Sequence, residues 1–303
     1  MLAITQQPTE KENTMKTLLK HTPKKSALPT LTQIMVKDGF ATCSDCDFFL
    51  TYPMVGLENG LYNPAGFGTV YSKLENSDIS TFPVIREAEY GQTVEYSAKW
   101  LLERLELLAT AMSKDATRYY LQGVFFTGND IAATNGQVLH KVKNTATING
   151  SFIIPDKAIY IMIDLLKEHK KIESVKLEFA KYVNFSYMRF TCGDAVLVSK
   201  LIDGQFPNYT RVIPDCAAFA ETKIDAVVVK SHLPRLKIKA KQGNEKLMVV
   251  TTNDVGISTS IDIGFNFELL LKMPSGDFFY KNAAESAVII SPLGLSVIMP
   301  MRL

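Results

Sequence analysis

The residues best equipped for chemistry are few: four cysteines and four histidines in 303 residues. Cys43-Ser44-Asp45-Cys46 has the spacing with which two thiolates grip zinc, but Cys192 and Cys216 stand alone and no histidine pair completes a set. His21, His140, His169 and His232 are scattered, without a neighbouring nucleophile, so ordinary surface or core roles are expected. Gly66-Phe67-Gly68 opens like a dinucleotide-binding turn, yet Tyr71 stands where the third glycine belongs. The sequence contains no phosphate loop of the G-x-x-x-x-G-K-S/T type, no H-E-x-x-H and no G-x-S-x-G elbow. We therefore expect no catalytic residue, no metal and no cofactor. An enzyme such as a nuclease would need carboxylates gathered from distant parts of the chain.

Cations offer a second kind of chemistry. The net charge is only +2, but Lys11, Lys16, Lys20, Lys24 and Lys25 crowd the first stretch against Glu12 alone, and a second basic stretch runs from Lys223 to Lys246. Such local excess attracts polyanions whatever the total charge. The competing explanation is a solvated face on an ordinary surface element.

Composition sets the frame for both. With 47% hydrophobic and 21% charged residues, 17 glycines and 13 prolines, the chain is long enough and apolar enough to bury a large core. The longest unbroken apolar run, Ala158 to Ile163, falls far short of the roughly 20 residues that span a bilayer. The N-terminus has no apolar signal region and cysteines are sparse, so a cytoplasmic protein with free thiols and no membrane partner is expected.

Periodicity supplies the elements that must hold these groups. Met15, Leu18 and Leu19 make an apolar stripe in a helix from Glu10 to His21, closed by Pro23. Strands are expected at Ile34 to Val36 and Phe40 to Phe49 about a Lys37-Asp38-Gly39 turn. A second helix should run from Tyr96 to Met112 on Trp100, Leu101, Leu105 and Leu108, followed by strands Tyr119 to Phe126 and Ile131 to Ala133. Pro155 at a first helical position opens a third helix to about His169, and Val175 to Phe179, Phe185 to Cys192 and Ala195 to Leu201 read as strands. The last third reads as strands at Ala226 to Val229, Leu247 to Thr251, Ala287 to Ile290 and Leu295 to Met299, with a short helix near Phe265 to Lys272. Ile34 to Asp45, Val124 to Asn135 and Ile238 to Asn253 share a strand, polar turn, strand pattern, as duplicated domains would.

Three segments go beyond pattern. They are Arg118-Tyr119-Tyr120-Leu121-Gln122-Gly123 leading to Ala133-Thr134-Asn135-Gly136; Ser199 to Tyr209 (SKLIDGQFPNY) continuing through Arg211-Val212-Ile213-Pro214; and the ending Val297-Ile298-Met299-Pro300-Met301-Arg302-Leu303. In order and spacing they closely resemble the bacterial replicative sliding-clamp family, the beta subunit of DNA polymerase III. Lys25 to Leu31 (KSALPTL) is similar to the loop after that family's first helix.

The resemblance implies an α+β DNA clamp fold: three pseudo-repeated clamp domains, helices lining a channel, antiparallel sheets outside, and two subunits closing head to tail in a homodimer ring. The domains would be 1–91, 92–214 and 215–303, the outer two shortened. It implies double-stranded DNA as partner, with Lys24 and Lys25 in contact and Lys16, Lys20, Lys99, Arg104 and Lys114 as further lining residues. It also implies a groove for short peptide motifs of the DNA polymerase and the clamp loader. By residue match the groove comprises Arg118, Tyr119, Leu121, Thr134, Gly136, Leu139, Pro207, Arg211, Val212, Val297, Ile298, Met299, Pro300, Met301 and Arg302. After the groove glycine this chain has Gln137 and Val138 where the family usually has histidine and arginine. Localisation would be cytoplasmic and nucleoid-associated. The alternative is a clamp-derived adaptor or decoy that keeps the groove without closing a ring.

Overall fold

A computed structural model describes residues 16–65, 67, 71–75, 77–84, 89–181, 186–215, 223–225, 247–250, 263–279 and 284–300. Helix α1 (Lys16–His21) leads to strands β1 (Ile34–Lys37), β2 (Phe40–Ser44), β3 (Phe48–Pro53) and β4 (Gly60–Tyr62). Strand β5 (Gln92–Ser97) and helix α2 (Ala98–Ala109) precede β6 (Gly123–Thr127), β7 (Asp130–Thr134) and β8 (Val138–Lys143). The pattern repeats as β9 (Ser151–Pro155), α3 (Asp156–Glu168), β10 (Ser174–Lys181), β11 (Ser186–Cys192) and β12 (Ala195–Lys200). Beyond β13 (Lys223–Asp225) and β14 (Leu247–Val250) it recurs once more: β15 (Ile263–Asn266), α4 (Phe267–Leu271), β16 (Asp277–Phe279), β17 (Ala287–Ser291) and β18 (Gly294–Ile298). One strand, one helix and three antiparallel strands therefore form the recurring module, of which the expected duplicated hairpin is a part. Of the three look-alike stretches, the first two are the hairpins β1–β2 and β6–β7. Most of Ile238 to Asn253 lies outside the described residues, as do Glu10 to Met15, Ala226 to Val229 and most of the second basic stretch.

The chain divides into two compact units, residues 1–102 with 146–203, and residues 103–145 with 204–303. The first holds an antiparallel sheet in the order β4-β1-β2-β3-β12-β11-β10-β5. Its seam joins distant parts of the chain, pairing Val196, Leu197, Val198 and Ser199 with Thr51, Leu50, Phe49 and Phe48. The second unit carries β13-β16-β17-β18-β8-β7-β6. There the terminal strand β18 pairs with β8, Val297 opposite Leu139 and Ile298 opposite Val138.

Local sequence explains most boundaries. Asp38 and Gly39 adopt φ of 53° and 82°, the primed turn that matches the twist of a two-residue hairpin. The expected strand from Phe40 to Phe49 is two strands instead. Asp45 accepts from the backbone amides of Asp47 and Phe48, and Cys46 sits at φ 77°, so the chain turns there. Helix α2 begins at Ala98 rather than Tyr96, because buried Val94 and Tyr96 alternate along β5, where Tyr96 pairs with Val175. Trp100 stacks on Tyr96, centroids 5.6 Å apart, while Leu101, Leu105 and Leu108 fill the core. Pro155 is the residue before α3 rather than its first, and Asp156 occupies the first turn, where a carboxylate favours the exposed amides. Among the described residues no helix is long and apolar enough to cross a membrane, and no cluster of side chains could hold a metal.

Candidate functional site

The first expected site lies in the first unit. The described part of helix α1, Lys16–His21, is held down at one end and along one side. Leu18 is wholly buried. Glu168 of α3 accepts from the Thr17 amide (3.0 Å), from the Thr17 hydroxyl and from the Tyr52 hydroxyl (3.3 Å). Burial and the nearby Glu168 charge push the Tyr52 hydroxyl well above its ordinary pKa, so it stays a donor. Asp164, one turn earlier on α3, pairs with Lys20 (2.7 Å) and lies 2.6 Å from His21 Nε2. Between the helices runs a cleft of about 430 Å³ whose rim carries Lys16, Lys20, Lys167 and Lys170. Docking α1 on α3 thus gathers four cations from two distant segments.

The other expected DNA contacts fall out variously. Lys24 and Lys25 are exposed on the loop after α1, and Lys99 is exposed on α2. In the second unit Lys114 is exposed, but the Arg104 side chain is only 15% exposed. Its guanidinium pairs with Glu103 at 2.5 Å and donates to the Pro292 carbonyl at 3.3 Å, which ties α2 to the β17–β18 turn.

The expected groove residues all belong to the second unit as far as they are described; Met301 and Arg302 lie outside the described residues. Tyr119, Val212 and Met299 are exposed large apolar side chains, whereas Leu121, Leu139, Val297 and Ile298 are buried. Leu139, Val297 and Ile298 build the strands beneath, Leu121 ends a short 3-10 helix, and the exposed three face solvent. Gly136 takes φ 89°, with the Arg118 guanidinium so close that a Cβ there would lie 3.0 Å from it. Thr134 accepts from the Gly136 amide and donates to the Val138 carbonyl, shaping the β7–β8 turn. Pro207 and Arg211 are exposed on a segment anchored by Phe206, which stacks on Phe125 at 4.6 Å, and by the Tyr209 hydroxyl donating to Asp130. The tail follows β18, with the Met299 amide donating to the Gln137 carbonyl at 2.9 Å and Pro300 half-buried after it.

Two features escaped the sequence reading. Lys167 in the last turn of α3 and Lys170 just beyond it follow the ordinary pattern of cations at a helix C-terminus, and only the packing of α1 beside them reveals a shared patch. His140 is fully buried on β8, between the Thr110 hydroxyl (3.0 Å) and the Ser296 hydroxyl (2.8 Å), and burial lowers its pKa to about 4. It therefore stays neutral and links β8 with β18 and with Thr110, the residue that follows α2. Burial pushes the Cys43 and Cys192 thiols up to about 12, leaving little reactive thiolate at either.

A fold of repeated strand-helix-strand modules, with one unit bearing a cationic helical patch and the other an apolar terminal tail, is that of a DNA clamp. Residues 96–208 match the model of the DNA polymerase III beta subunit, central domain. The beta sliding clamp of Rickettsia bellii is 24% identical over 74% of this chain and 70% of its own, and that of Synechococcus elongatus 26% identical over 73% and 68%. Among solved structures, a DNA polymerase III subunit beta sliding clamp from Bartonella birtlesii bound to griselimycin has a TM-score of 0.77 at 22% identity, covering 96% of this chain and 97% of its own. The beta subunit from Thermotoga maritima has 0.75 at 21%, covering 97% of each. The chain is thus similar to bacterial beta sliding clamps, and residues 96–208 carry the match to the family model.

Proposed function

We propose that the protein is a sliding clamp: a non-enzymatic processivity factor that encircles duplex DNA without reading its sequence and tethers a DNA polymerase through an apolar peptide groove. The observation that carries this reading is the likeness to beta sliding clamps along nearly the whole chain, joined to a cationic patch built from two helices. Phosphates recur about every 1.7 Å along a duplex, so lysines of this patch meet equivalent partners at every register and impose little barrier to sliding. Retention then comes from closure, in a ring of two subunits each built as 1–91, 92–214 and 215–303. Lys24, Lys25, Lys16, Lys20, Lys99 and Lys114 are the contacts from the original set; bonded, mostly buried Arg104 instead braces α2. The docking surface is formed by Tyr119, Arg118, Pro207, Arg211, Val212, Met299 and Pro300, with Thr134 and Gly136 shaping its turn and Leu121, Leu139, Val297 and Ile298 beneath. Met suits such a surface because its flexible thioether adapts to several ligands. Met301 and Arg302, outside the described residues, complete the proposed set. Such a clamp works in the cytoplasm, on the nucleoid, with a separate loader to open it.

The deciding experiment combines solution mass with retention on DNA. A species of twice 33.7 kDa that stays on closed circular DNA and runs off once the circle is cut supports the reading. A monomer that shows no difference between circle and line sinks it and favours the adaptor.

A further inference from the structure

The cationic patch contains two acids: Glu168 is committed to Thr17 and Tyr52, whereas Asp164 faces a lysine. Asp164 lines the α1–α3 cleft together with Lys16, Lys20, Lys167 and Lys170, and its side chain is only 18% exposed. The Lys20 side chain is 62% exposed, with its ammonium 2.7 Å from the Asp164 carboxylate. His21 Nε2 meets the same carboxylate oxygen at 2.6 Å from the end of α1, which keeps Asp164 aimed at the lysine. A patch selected only to hold phosphate would gain nothing from a carboxylate facing one of its cations.

We propose that Asp164 competes with DNA phosphate for Lys20, so that this lysine passes between an internal carboxylate and the polyanion and the clamp's hold on DNA is kept weak. The inference rests on the sliding-clamp reading and deepens it. The lysine side of the pair is exposed and Asp164 keeps its contact with His21 when Lys20 leaves, so exchanging Asp164 for a phosphate changes the energy little in either direction. A lysine that can release one phosphate onto a waiting carboxylate need not release it into water before meeting the next. Lys170, on the same rim and exposed, makes an ordinary phosphate contact in this scheme. The residue that controls grip is therefore an acid in the helix opposite the sequence's first basic stretch.

The test is fluorescence anisotropy of a labelled linear duplex with the full chain, across a salt series, for wild type, D164N, K20Q, K170Q and the D164N/K20Q double variant. D164N is expected to bind roughly threefold to tenfold more tightly at low salt, with the salt slope steeper by about one ion, because Lys20 becomes a full contact. K20Q is expected to cost less affinity than K170Q, and the D164N gain should vanish when Lys20 is absent. A D164N affinity equal to wild type, or a gain that persists in the double variant, overturns the proposal. Should D164N lose its fold, the comparison of the two lysine variants still decides: K20Q costing as much as K170Q overturns it. Wild type without any salt-dependent DNA binding would instead defeat the sliding-clamp reading itself, and this proposal with it.

Discussion

At the scale of single residues, two buried or crowded positions carry measurable consequences. His140 is held neutral, with its pKa at about 4 against an ordinary 6.5. Below about pH 6.5 the unfolded chain takes up a proton that the folded chain refuses until about pH 4, so stability should be level above that window and fall through it. The loss amounts to about 3 kcal/mol at most. Denaturant unfolding at pH 7 and pH 4.5 should show this slope, and His140→Gln should flatten it. At Gly136 a side chain meets both a left-handed backbone at φ 89° and the Arg118 guanidinium. Gly136→Ala should cost about 1 kcal/mol and displace Arg118, lowering affinity for a clamp-binding peptide while salt-dependent DNA binding is unchanged.

At the scale of elements, short pieces are held by partners far away in sequence. Helix α1 depends on Glu168, which accepts the Thr17 amide and hydroxyl and the Tyr52 hydroxyl. Glu168→Ala should destabilise the first unit by about 2 kcal/mol and speed amide exchange over residues 16–21, since their buried donors lose their acceptor. The tail that follows β18 is the second such element. Removing Met299 to Leu303 deletes the bond to Gln137 and an exposed methionine, but leaves the β8–β18 ladder intact. Peptide binding measured by anisotropy should weaken by roughly tenfold or more, with little change in melting temperature. Helix and strand types were readable here because apolar spacing was regular, as in α3 and β10 to β12. Their ends were less so: Tyr96 and Trp100 fit a helical stripe, yet Tyr96 was captured by pairing across to Val175.

At the scale of the whole molecule, the proposed sliding clamp requires charge that faces DNA and a ring that closes. Reversing both loop lysines, Lys24→Glu with Lys25→Glu, should weaken DNA binding and make its salt dependence shallower by about two ions. A salt slope identical to wild type would return those lysines to the role of solvated surface. The clamp architecture was legible in the chain, because the repeated hairpins and the segments around Arg118, Ser199 and Val297 are local strings of residues. The recurring strand-helix-three-strand module was only half legible, since a hairpin shows in its turn residues whereas a module shows in what pairs with what.

By itself the sequence determined the type of its most regular pieces, such as α3 and β10 to β12, the absence of recognisable catalytic motifs, and the exposed cations Lys16, Lys20, Lys24 and Lys25. These follow from turn chemistry, apolar period and residue type, all of which act over a few neighbours. Tertiary structure alone decided that Lys16 and Lys20 share a cleft with Lys167 and Lys170, that Asp164 faces them, that Arg104 is committed to Glu103 and Pro292, and that His140 is buried between two hydroxyls. Those facts depend on packing between segments up to about 190 residues apart, where no local pattern sets the outcome.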